Sequence, residues 1–162
     1  MNATDRARPT WDEYFIEICK VVASRSHDED THVGCVIVNP KRRIVSTGYN
    51  GLPAGVDDAS WATRREEIVT IPSVSTEGLT YDVDKYDSVT HAEANAIVSA
   101  VEALHGCSLY CTLFPCNDCA KLIITAGIRK VFYRDLRETK MHAISKRLFE
   151  QAGIEMIRLP SA

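Results

Sequence analysis

Apolar positions along the chain switch repeatedly between helical and strand-like spacing, which predicts an α/β protein. A helix is predicted from residue 11 to about 25, because apolar residues recur there every three or four positions, at Trp11, Phe15, Ile18 and Val22. Thr10-Trp11-Asp12-Glu13 has the Thr-x-x-Glu pattern of a capping box at the start of this helix.

The next apolar segments predict a β-hairpin. Residues 33–38 are a compact run rich in β-branched side chains, and residues 44–49 form a second run beyond a turn that contains Pro40. The turn also carries Lys41-Arg42-Arg43, which we interpret as a solvated charge run at the hairpin tip.

From residue 90 onward the pattern is regular. Helices are predicted to begin at Thr90, Pro115 and Thr139, and Gly127 and Gly153 are typical stop signals for the last two. Strands are predicted over 107–113, 128–133 and 154–159. The helix from Thr90 is expected to bury one apolar face, made of Ala94, Ile97, Val98, Val101 and Leu104. The element order predicts a three-layer α-β-α fold around a five-stranded mixed sheet, with parallel neighbours in its second half.

Residues 50–89 lack a sustained period. They hold three glycines, two prolines and many acidic residues. So long an irregular segment in a small domain is often functional, and a disordered insert is the alternative. Trp61 and the segment Tyr81 to Tyr86 favour partial order.

Length and charge restrict the class of protein. The 162 residues predict a single domain over 1–162, with a polar, frayed tail at 1–9. The net charge of −3 excludes a basic nucleic-acid-coating protein, although a local basic patch stays possible. No apolar stretch approaches the roughly 18 residues of a membrane span, and the N-terminus has no apolar signal segment. A cytoplasmic protein without membrane or nucleic-acid partners is expected.

The cysteines give the first indication of chemistry. In a reducing cytosol the six of them should be free thiols or metal ligands, and four lie within residues 107–119. Cys116 and Cys119 are three apart at the start of a predicted helix and so share one face. His91 opens the preceding helix. One imidazole and two thiolates are three ligands, and a fourth position left to water is typical of a catalytic zinc site.

Glu93 completes the pattern. It follows the histidine by two residues and can hold a water molecule and move its proton. In isolation, Thr90-x-x-Glu93 could be only a capping box, the Cys-x-x-Cys pair could be a redox or structural zinc motif, and the histidine could be structural. Together, His-x-Glu followed by Pro-Cys-x-x-Cys is the signature of zinc deaminases.

Five stretches between Trp11 and Leu159 resemble the cytidine-deaminase-like superfamily, and within it the dCMP deaminases. They are Trp11-x-Glu13-Tyr14-Phe15; Arg25-Ser26 with Val33-Gly34; Gly48-Tyr49-Asn50-Gly51-Leu52-Pro53; His91-Ala92-Glu93-Ala94-Asn95-Ala96-Ile97; and Leu113-Phe114-Pro115-Cys116-Asn117-Asp118-Cys119-Ala120-Lys121. The third stretch and the long insert, which carries Trp61, Arg64 and Arg65, are similar to the mononucleotide branch.

The resemblance implies a function and a site. The expected reaction is hydrolysis of dCMP to dUMP and ammonia, a cyclic-amidine hydrolase activity that supplies dUMP for thymidylate synthesis. His91, Cys116 and Cys119 are expected to bind Zn²⁺, with Glu93 as the proton shuttle. A homo-oligomer, hexamer or dimer, is expected, with dCTP and dTTP as possible effectors.

Substrate contacts are predicted at four further positions. By the family resemblance, Asn50 is expected to contact the sugar, and backbone groups near Ala92 and Cys116 are expected to orient the base. Tyr133, at the end of a predicted strand, is a candidate for packing beside the base or sugar, or else an ordinary sheet aromatic. For the phosphate the candidate cations are Arg25, Arg64, Arg65 and Lys121. Arg25 is favoured among them because it ends the first helix just before the first strand.

The chain departs from some relatives that carry a second, structural zinc. Thr90 and Val56 stand where a ligand-capable residue is common, so a second zinc is not expected. The remaining cysteines are then predicted to be small buried hydrophobic residues: Cys19, Cys35, Cys107 and Cys111.

Other functions stay open at this point. A 5-substituted dCMP, cytidine or deoxycytidine could be the substrate, although the long insert argues against a minimal nucleoside enzyme. The acidic charge disfavours a transfer-RNA adenosine deaminase. A non-catalytic zinc module would have no use for Glu93, which is not a ligand.

Overall fold

The computed structural model describes residues 8–160. Its helices are α1 (Trp11–Ala23), α2 (Lys85–Ser88), α3 (Ala92–Val98), α4 (Asn117–Thr125) and α5 (Lys140–Ala152). Its strands are β1 (Gly34–Val38), β2 (Ile44–Tyr49), β3 (Val69–Pro72), β4 (Thr80–Val83), β5 (Ser108–Leu113), β6 (Lys130–Asp135) and β7 (Glu155–Arg158). Most of the predicted frayed tail, residues 1–7, lies outside the described residues. No helix between residues 8 and 160 is long and apolar enough to cross a membrane.

The large sheet has the strand order β2-β1-β5-β6-β7. Strand β1 is antiparallel to both β2 and β5, whereas β5, β6 and β7 are parallel. The predicted five-stranded mixed sheet and its two parallel crossovers are therefore confirmed. Helices α4 and α5, which connect the parallel strands, each begin after the carboxyl end of a strand. The start of α4 carries the second half of the zinc motif.

The two faces of the sheet are covered by different helices. Val36, Tyr110 and Phe132 point to the face that packs against α1. The alternate positions, such as Ile37, Leu109 and Val131, belong to a larger core with residues of α3, α4 and α5. The α-β-α arrangement is thus confirmed, with one helix on one side and three on the other.

Local capping signals set the helix ends. The Thr10–Glu13 capping box is formed: the Glu13 amide donates to Thr10 Oγ1 at 3.2 Å, and the Thr10 amide donates to Glu13 Oε2 at 2.7 Å. Thr139 caps α5, and Gly153 ends it in the left-handed conformation that favours glycine. Helix α1 ends at Ala23, two residues earlier than predicted.

The segment 50–89 is more ordered than its sequence pattern indicated. It contains an antiparallel β3–β4 hairpin, in which Val69 pairs with Val83, followed directly by α2. Each strand has only four residues, and the outward positions are exposed, so no sustained period could develop. The expected partial order is confirmed.

The predicted core face of the helix from Thr90 was wrong in part. Helix α3 spans only Ala92–Val98, and its buried residues are Ala92, Glu93 and Ala96. Val98 is 75% exposed because it lies on the side of α3 opposite the buried Ala92, Glu93 and Ala96, and Val101, which lies beyond the end of the helix, is 93% exposed. Leu104 is buried, as predicted, but beyond the helix. Gly48 of β2 lies directly against the backbone of Ala92 and Ala96 in this helix.

Candidate active site

The two halves of the zinc motif meet at two helix starts. His91 is the N-cap of α3, and Cys116 is the N-cap of α4, with Cys119 one turn further on. His91 Nδ1 lies 3.3 Å from Cys116 Sγ and 3.4 Å from Cys119 Sγ. Among the described residues, these three form the one group of His, Cys, Asp or Glu side chains close enough to share a metal ion, with their donor atoms within 4.8 Å of one another.

The donor set fits zinc. One imidazole nitrogen and two thiol sulfurs are typical zinc ligands, and three protein ligands leave a fourth position open. Neither His91 nor Cys116 uses its side chain to cap its helix, so both are available to a metal.

The cysteine pair supplies a thiolate. Hydrogen bonds with Cys119 and His91 lower the pKa of Cys116 to about 4, against burial, which acts in the opposite direction. The hydrogen bond with Cys116 raises the pKa of His91 to about 8. The hydrogen bond between Cys119 and Cys116, together with burial, raises the pKa of Cys119. At neutral pH the Cys116 sulfur is therefore negatively charged, which is the form that binds a metal ion.

Glu93 is the second residue of α3, in the first turn of the helix, and its exposed fraction is 4%. Its Oε2 accepts a hydrogen bond from the Cys119 thiol at 3.5 Å. Burial raises the pKa of this carboxyl group. The capping-box alternative is not formed, because α3 is capped by His91 and not by Thr90, whose backbone instead pairs with Gly51. Glu93 is thus a buried carboxyl group beside the cysteines, with no capping role.

A cavity of about 740 Å³ opens at these residues, and its lining includes His91, Glu93 and Cys116. That volume is in the range of small-molecule sites. Ala92 and Asn50 also line it. Cys119 touches both His91 and Glu93. The structure therefore brings together the predicted zinc ligands, Glu93, Ala92 and Asn50, and Arg65 among the phosphate candidates also lines the cavity.

Asn50 is buried and fixes one wall of this cavity. Its Oδ1 accepts from the Val33 amide at 2.8 Å, and its Nδ2 donates to the Thr31 carbonyl at 2.9 Å. Because an amide nitrogen carries two hydrogens, Nδ2 keeps a second donor for a ligand. The predicted contact with a sugar stays a prediction.

Arg25 and Tyr133 do not belong to the lining of this cavity. Arg25 is exposed just beyond α1. Tyr133 is half-buried in β6, with its ring edge-on to Phe114 at a centroid distance of 4.7 Å. The substrate contacts predicted for Arg25 and Tyr133 stay predictions. A substrate bound in this cavity would have to extend beyond its lining to reach either side chain.

The other phosphate candidates differ in their surroundings. Arg64 forms an exposed ion pair with Glu29, and Lys121 forms one with Asp118. Arg65 lines the cavity. Arg137, which the sequence analysis missed, also lines it.

A buried ion-pair network was also missed. Lys85 is 2% exposed, and its Nζ lies 2.9 and 3.0 Å from the two carboxylate oxygens of Asp28 and 2.9 Å from Asp30 Oδ2. Burial alone would lower the pKa of Lys85, but the hydrogen bonds to both carboxylates outweigh it and raise that pKa. The network attaches the segment 50–89 to the loop after α1, and Asp28 and Lys85 both line the cavity.

The four other cysteines are buried, as predicted, with exposures of 0 to 2%. Cys19 and Cys111 donate to the carbonyls of Tyr110 and Phe132 from within the core. A second cluster of possible metal ligands is absent from the part of the chain that the structure describes.

Comparison with known proteins decides the family. The sequence profile of the cytidine and deoxycytidylate deaminase zinc-binding region matches residues 9–135. The chain belongs to this deaminase family. It is therefore an enzyme, a zinc-dependent deaminase of the hydrolase class, and Zn²⁺ is its cofactor.

Individual relatives agree with this family. The chain is 41% identical over 150 residues to the deoxycytidylate deaminase of Mus musculus, covering 89% of this chain and 76% of that protein. It is 43% identical over 130 residues to the deoxycytidylate deaminase of Mycobacterium phage D29, covering 78% and 96%. The crystal structure of the dCMP deaminase from cyanophage S-TIM5 in complex with dCMP and dUMP has a TM-score of 0.71 at 27% identity, covering 95% and 100%. The predicted cytidine-deaminase-like fold is confirmed.

Proposed function

We propose that this chain, as a single deaminase domain, hydrolyses dCMP to dUMP and ammonia. The observation that carries the proposal is the buried Glu93 beside the His91, Cys116 and Cys119 donors, at a cavity of about 740 Å³. The relatives named deoxycytidylate deaminase, and the cyanophage enzyme crystallised with dCMP and dUMP, support this substrate.

In the proposed reaction His91, Cys116 and Cys119 hold zinc. The metal, when bound, supplies Lewis-acid chemistry that makes water a nucleophile near neutral pH. Glu93 accepts a proton from the attacking water and delivers it to N3 of the cytosine ring. Attack of the water oxygen forms the C4–O bond, and Glu93 then takes the remaining proton from the new C4 hydroxyl group and delivers it to N4. The C4–N4 bond breaks, ammonia leaves, and the C4 carbonyl of dUMP is formed. The raised pKa of Glu93 suits a group that must both accept and donate protons.

Asn50 and Ala92 orient the substrate in this proposal. The spare Nδ2 hydrogen of Asn50 is available to a sugar hydroxyl. Ala92 is fully buried in the first turn of α3, so its backbone forms a fixed wall for the base.

The proposal is tested by ammonia release from a panel of dCMP, CMP, deoxycytidine, dCTP and 5-methyl-dCMP. The expected result is the highest kcat/KM with dCMP. Equal turnover of dCMP and deoxycytidine would keep the deaminase and overturn the monophosphate specificity. A preference for 5-methyl-dCMP would assign the 5-substituted substrate, and no ammonia from any compound would overturn the proposal.

A homo-oligomer, hexamer or dimer, is proposed as the working state. It is supported by the exposed Val98 and Val101 at the end of α3, which stay in contact with water in a monomer. Light scattering of the wild type and of Val101→Asp tests it. A wild-type mass of 18 kDa at micromolar concentration would contradict it.

Regulation and location are proposed from the family resemblance. Assays with added dCTP and dTTP are expected to show activation and inhibition, respectively, and unchanged rates with both would contradict this.

A cytoplasmic location is supported by six cysteines that are all free thiols in the structure. Cell fractionation tests it.

A further inference from the structure

The side-chain amide of Asn50 is held by the loop between α1 and β1, residues 24–33. Its Oδ1 accepts from the Val33 amide at 2.8 Å, and its Nδ2 donates one hydrogen to the Thr31 carbonyl at 2.9 Å. The Ser26 hydroxyl donates to the Asn50 carbonyl at 2.7 Å. The direction of the second Nδ2 hydrogen therefore depends on the shape of this α1–β1 loop.

Asp28 determines the shape of the α1–β1 loop. Its Oδ1 accepts from the backbone amides of Asp30 and Thr31, both at 2.9 Å, and its own amide donates to Ser26 Oγ at 3.2 Å. Asp28 is thus bonded to both Ser26 and Thr31, which in turn contact Asn50. Because Asp28 is 6% exposed, water has little access to these bonds, and the loop depends on this carboxylate to satisfy its amides.

Lys85 compensates the charge of the buried Asp28 carboxylate. A buried carboxylate is costly without a cation, and Lys85 Nζ contacts both oxygens of Asp28. Lys85 also contacts Asp30 Oδ2, at 2.9 Å. The two carboxylates differ in their other partners, because Asp28 accepts from the Thr31 amide, whereas Asp30 accepts from the Arg65 amide. Of this pair, Asp28 is therefore the one connected to the Asn50 side chain.

The backbone of Asn50 is fixed separately, beside the first zinc ligand. Gly51 follows Asn50, and Thr90 precedes His91. The Gly51 amide donates to the Thr90 carbonyl at 3.1 Å, and the Thr90 amide donates to the Gly51 carbonyl at 2.8 Å. Because this bridge lies outside the α1–β1 loop, loss of Asp28 should change the direction of the Asn50 amide more than the position of His91.

We propose that Asp28 is a positioning residue for the substrate sugar: by shaping the α1–β1 loop, it directs the free N–H of Asn50 towards the 3′-hydroxyl group of dCMP. The inference rests on the proposed function, in which Asn50 contacts the sugar. The 3′-hydroxyl is the one free hydroxyl of this sugar, because C2′ carries none and the 5′ oxygen carries the phosphate. Asp28 also lines the cavity, but Lys85 and two backbone amides engage its carboxylate, so it acts through Asn50.

The inference is tested by comparing kcat/KM of the zinc-loaded enzyme for dCMP and for 2′,3′-dideoxycytidine 5′-monophosphate, which lacks the 3′-hydroxyl group. The wild type is expected to prefer dCMP by at least about tenfold, because a site built to bind a hydroxyl group rejects an analogue without it. Asp28→Ala should reduce this preference to less than about threefold, with zinc content unchanged.

Asp30→Ala is the matched control. Asp30 also pairs with Lys85, but its carboxylate accepts from the Arg65 amide, so this variant should keep the wild-type preference. A loss of the same size in both variants would show a general effect on loop stability and would overturn the inference.

A double variant tests whether Asp28 acts through Asn50. Asn50→Ala should lose the preference by itself, and the addition of Asp28→Ala should lower it no further, because two residues that serve one contact are not additive. A further drop in the double variant would give Asp28 a separate effect on the sugar and would contradict the positioning role.

The outcomes separate this inference from the function it rests on. No ammonia from dCMP would overturn the proposed function. A wild type that does not distinguish the two nucleotides, or an Asn50→Ala variant that still does, would overturn the sugar contact and this inference with it. If Asn50→Ala loses the preference and Asp28→Ala keeps it, the contact stands and the positioning role is wrong.

Ser26→Ala keeps the inference testable if Asp28→Ala does not fold. It removes the hydroxyl group that connects the Asp28 amide to the Asn50 carbonyl, and it leaves the ion pair with Lys85 in place. This variant should also reduce the preference for dCMP, and an unchanged preference would overturn the inference.

Discussion

Gly48 of β2 lies directly against the backbone of Ala92 in α3. A Cβ atom added at position 48 would overlap the Ala92 carbonyl oxygen and the Ala96 amide nitrogen. The missing side chain therefore sets how closely α3 approaches the sheet, and α3 carries His91 at its start and Glu93 in its first turn.

Gly48→Ala is expected to destabilise the protein and to reduce turnover. Overlap with a backbone cannot be relieved by a rotamer change, so the cost should reach at least about 1–3 kcal/mol, the range for overpacked cores. Gly51→Ala is the matched control, because a Cβ atom there would meet nothing within 4 Å. Thermal unfolding and kcat measure both effects. Equal melting temperatures for the two variants would show that this contact does not control the position of α3.

Glu93→Gln should abolish most turnover while the metal and the fold are retained. Glutamine has a similar size and is easier to bury than a carboxylate, but it cannot accept and return a proton. We expect kcat to fall by at least about a hundredfold, the lower end for positioned acid–base catalysis. Zinc content and melting temperature should stay close to wild type, since Glu93 is not among the proposed ligands. Near-normal turnover by this variant would remove Glu93 from the mechanism.

Cys116→Ala and Cys119→Ala should each lose zinc. Both remove one of three donor atoms and leave two, while about one zinc per chain is expected in the wild type. Cys107→Ala is the control, since Cys107 is as buried as Cys119, at 2% exposure, but does not belong to the His91 cluster. Elemental analysis of the purified proteins measures this directly. A full complement of zinc in both ligand variants would contradict the assigned site.

Local sequence signals predicted those parts of the fold that local chemistry decides. Thr10, Thr139 and Gly153 mark helix ends through contacts with residues at most four positions away, and the structure has all three caps. The zinc motif is similar: each half lies within five consecutive residues, and the packing of α3 on β1 and β2, next to α4, brings the two halves together. A short motif and a common topology were therefore sufficient to predict the cluster.

Other features depend on how distant segments dock. The apolar spacing of Val98 and Val101 would look the same in a buried helix. Both are exposed because α3 docks by the side that carries Ala92 and Ala96 and ends at Val98. Lys85 and Asp28 are 57 positions apart, and their pairing depends on where the segment 50–89 packs. Arg137 is one basic residue in a polar loop, and no sequence signal separates it from a solvated charge.

Lys85→Met should destabilise the protein strongly at neutral pH. The substitution keeps an apolar side chain of similar length but leaves the buried Asp28 carboxylate without its ammonium partner. Removal of one member of a buried ion pair costs about 3–5 kcal/mol. Lys121→Met is the matched control, because Lys121 has an exposed ion pair with Asp118 that should contribute about 0–1 kcal/mol.

The pH dependence of this difference has a defined sign. The hydrogen bonds to Asp28 and Asp30 hold the folded-state pKa of Lys85 above its usual 10.5. A raised pKa adds stability that is fully present below pH 10.5 and is lost as the pH rises through the folded-state value. The gap in unfolding free energy between wild type and Lys85→Met should therefore be constant from pH 6 to about pH 9 and should narrow above 10.5. Urea denaturation across this range measures the gap. A gap that instead widened with alkaline pH would show that Lys85 is not charged in the folded protein.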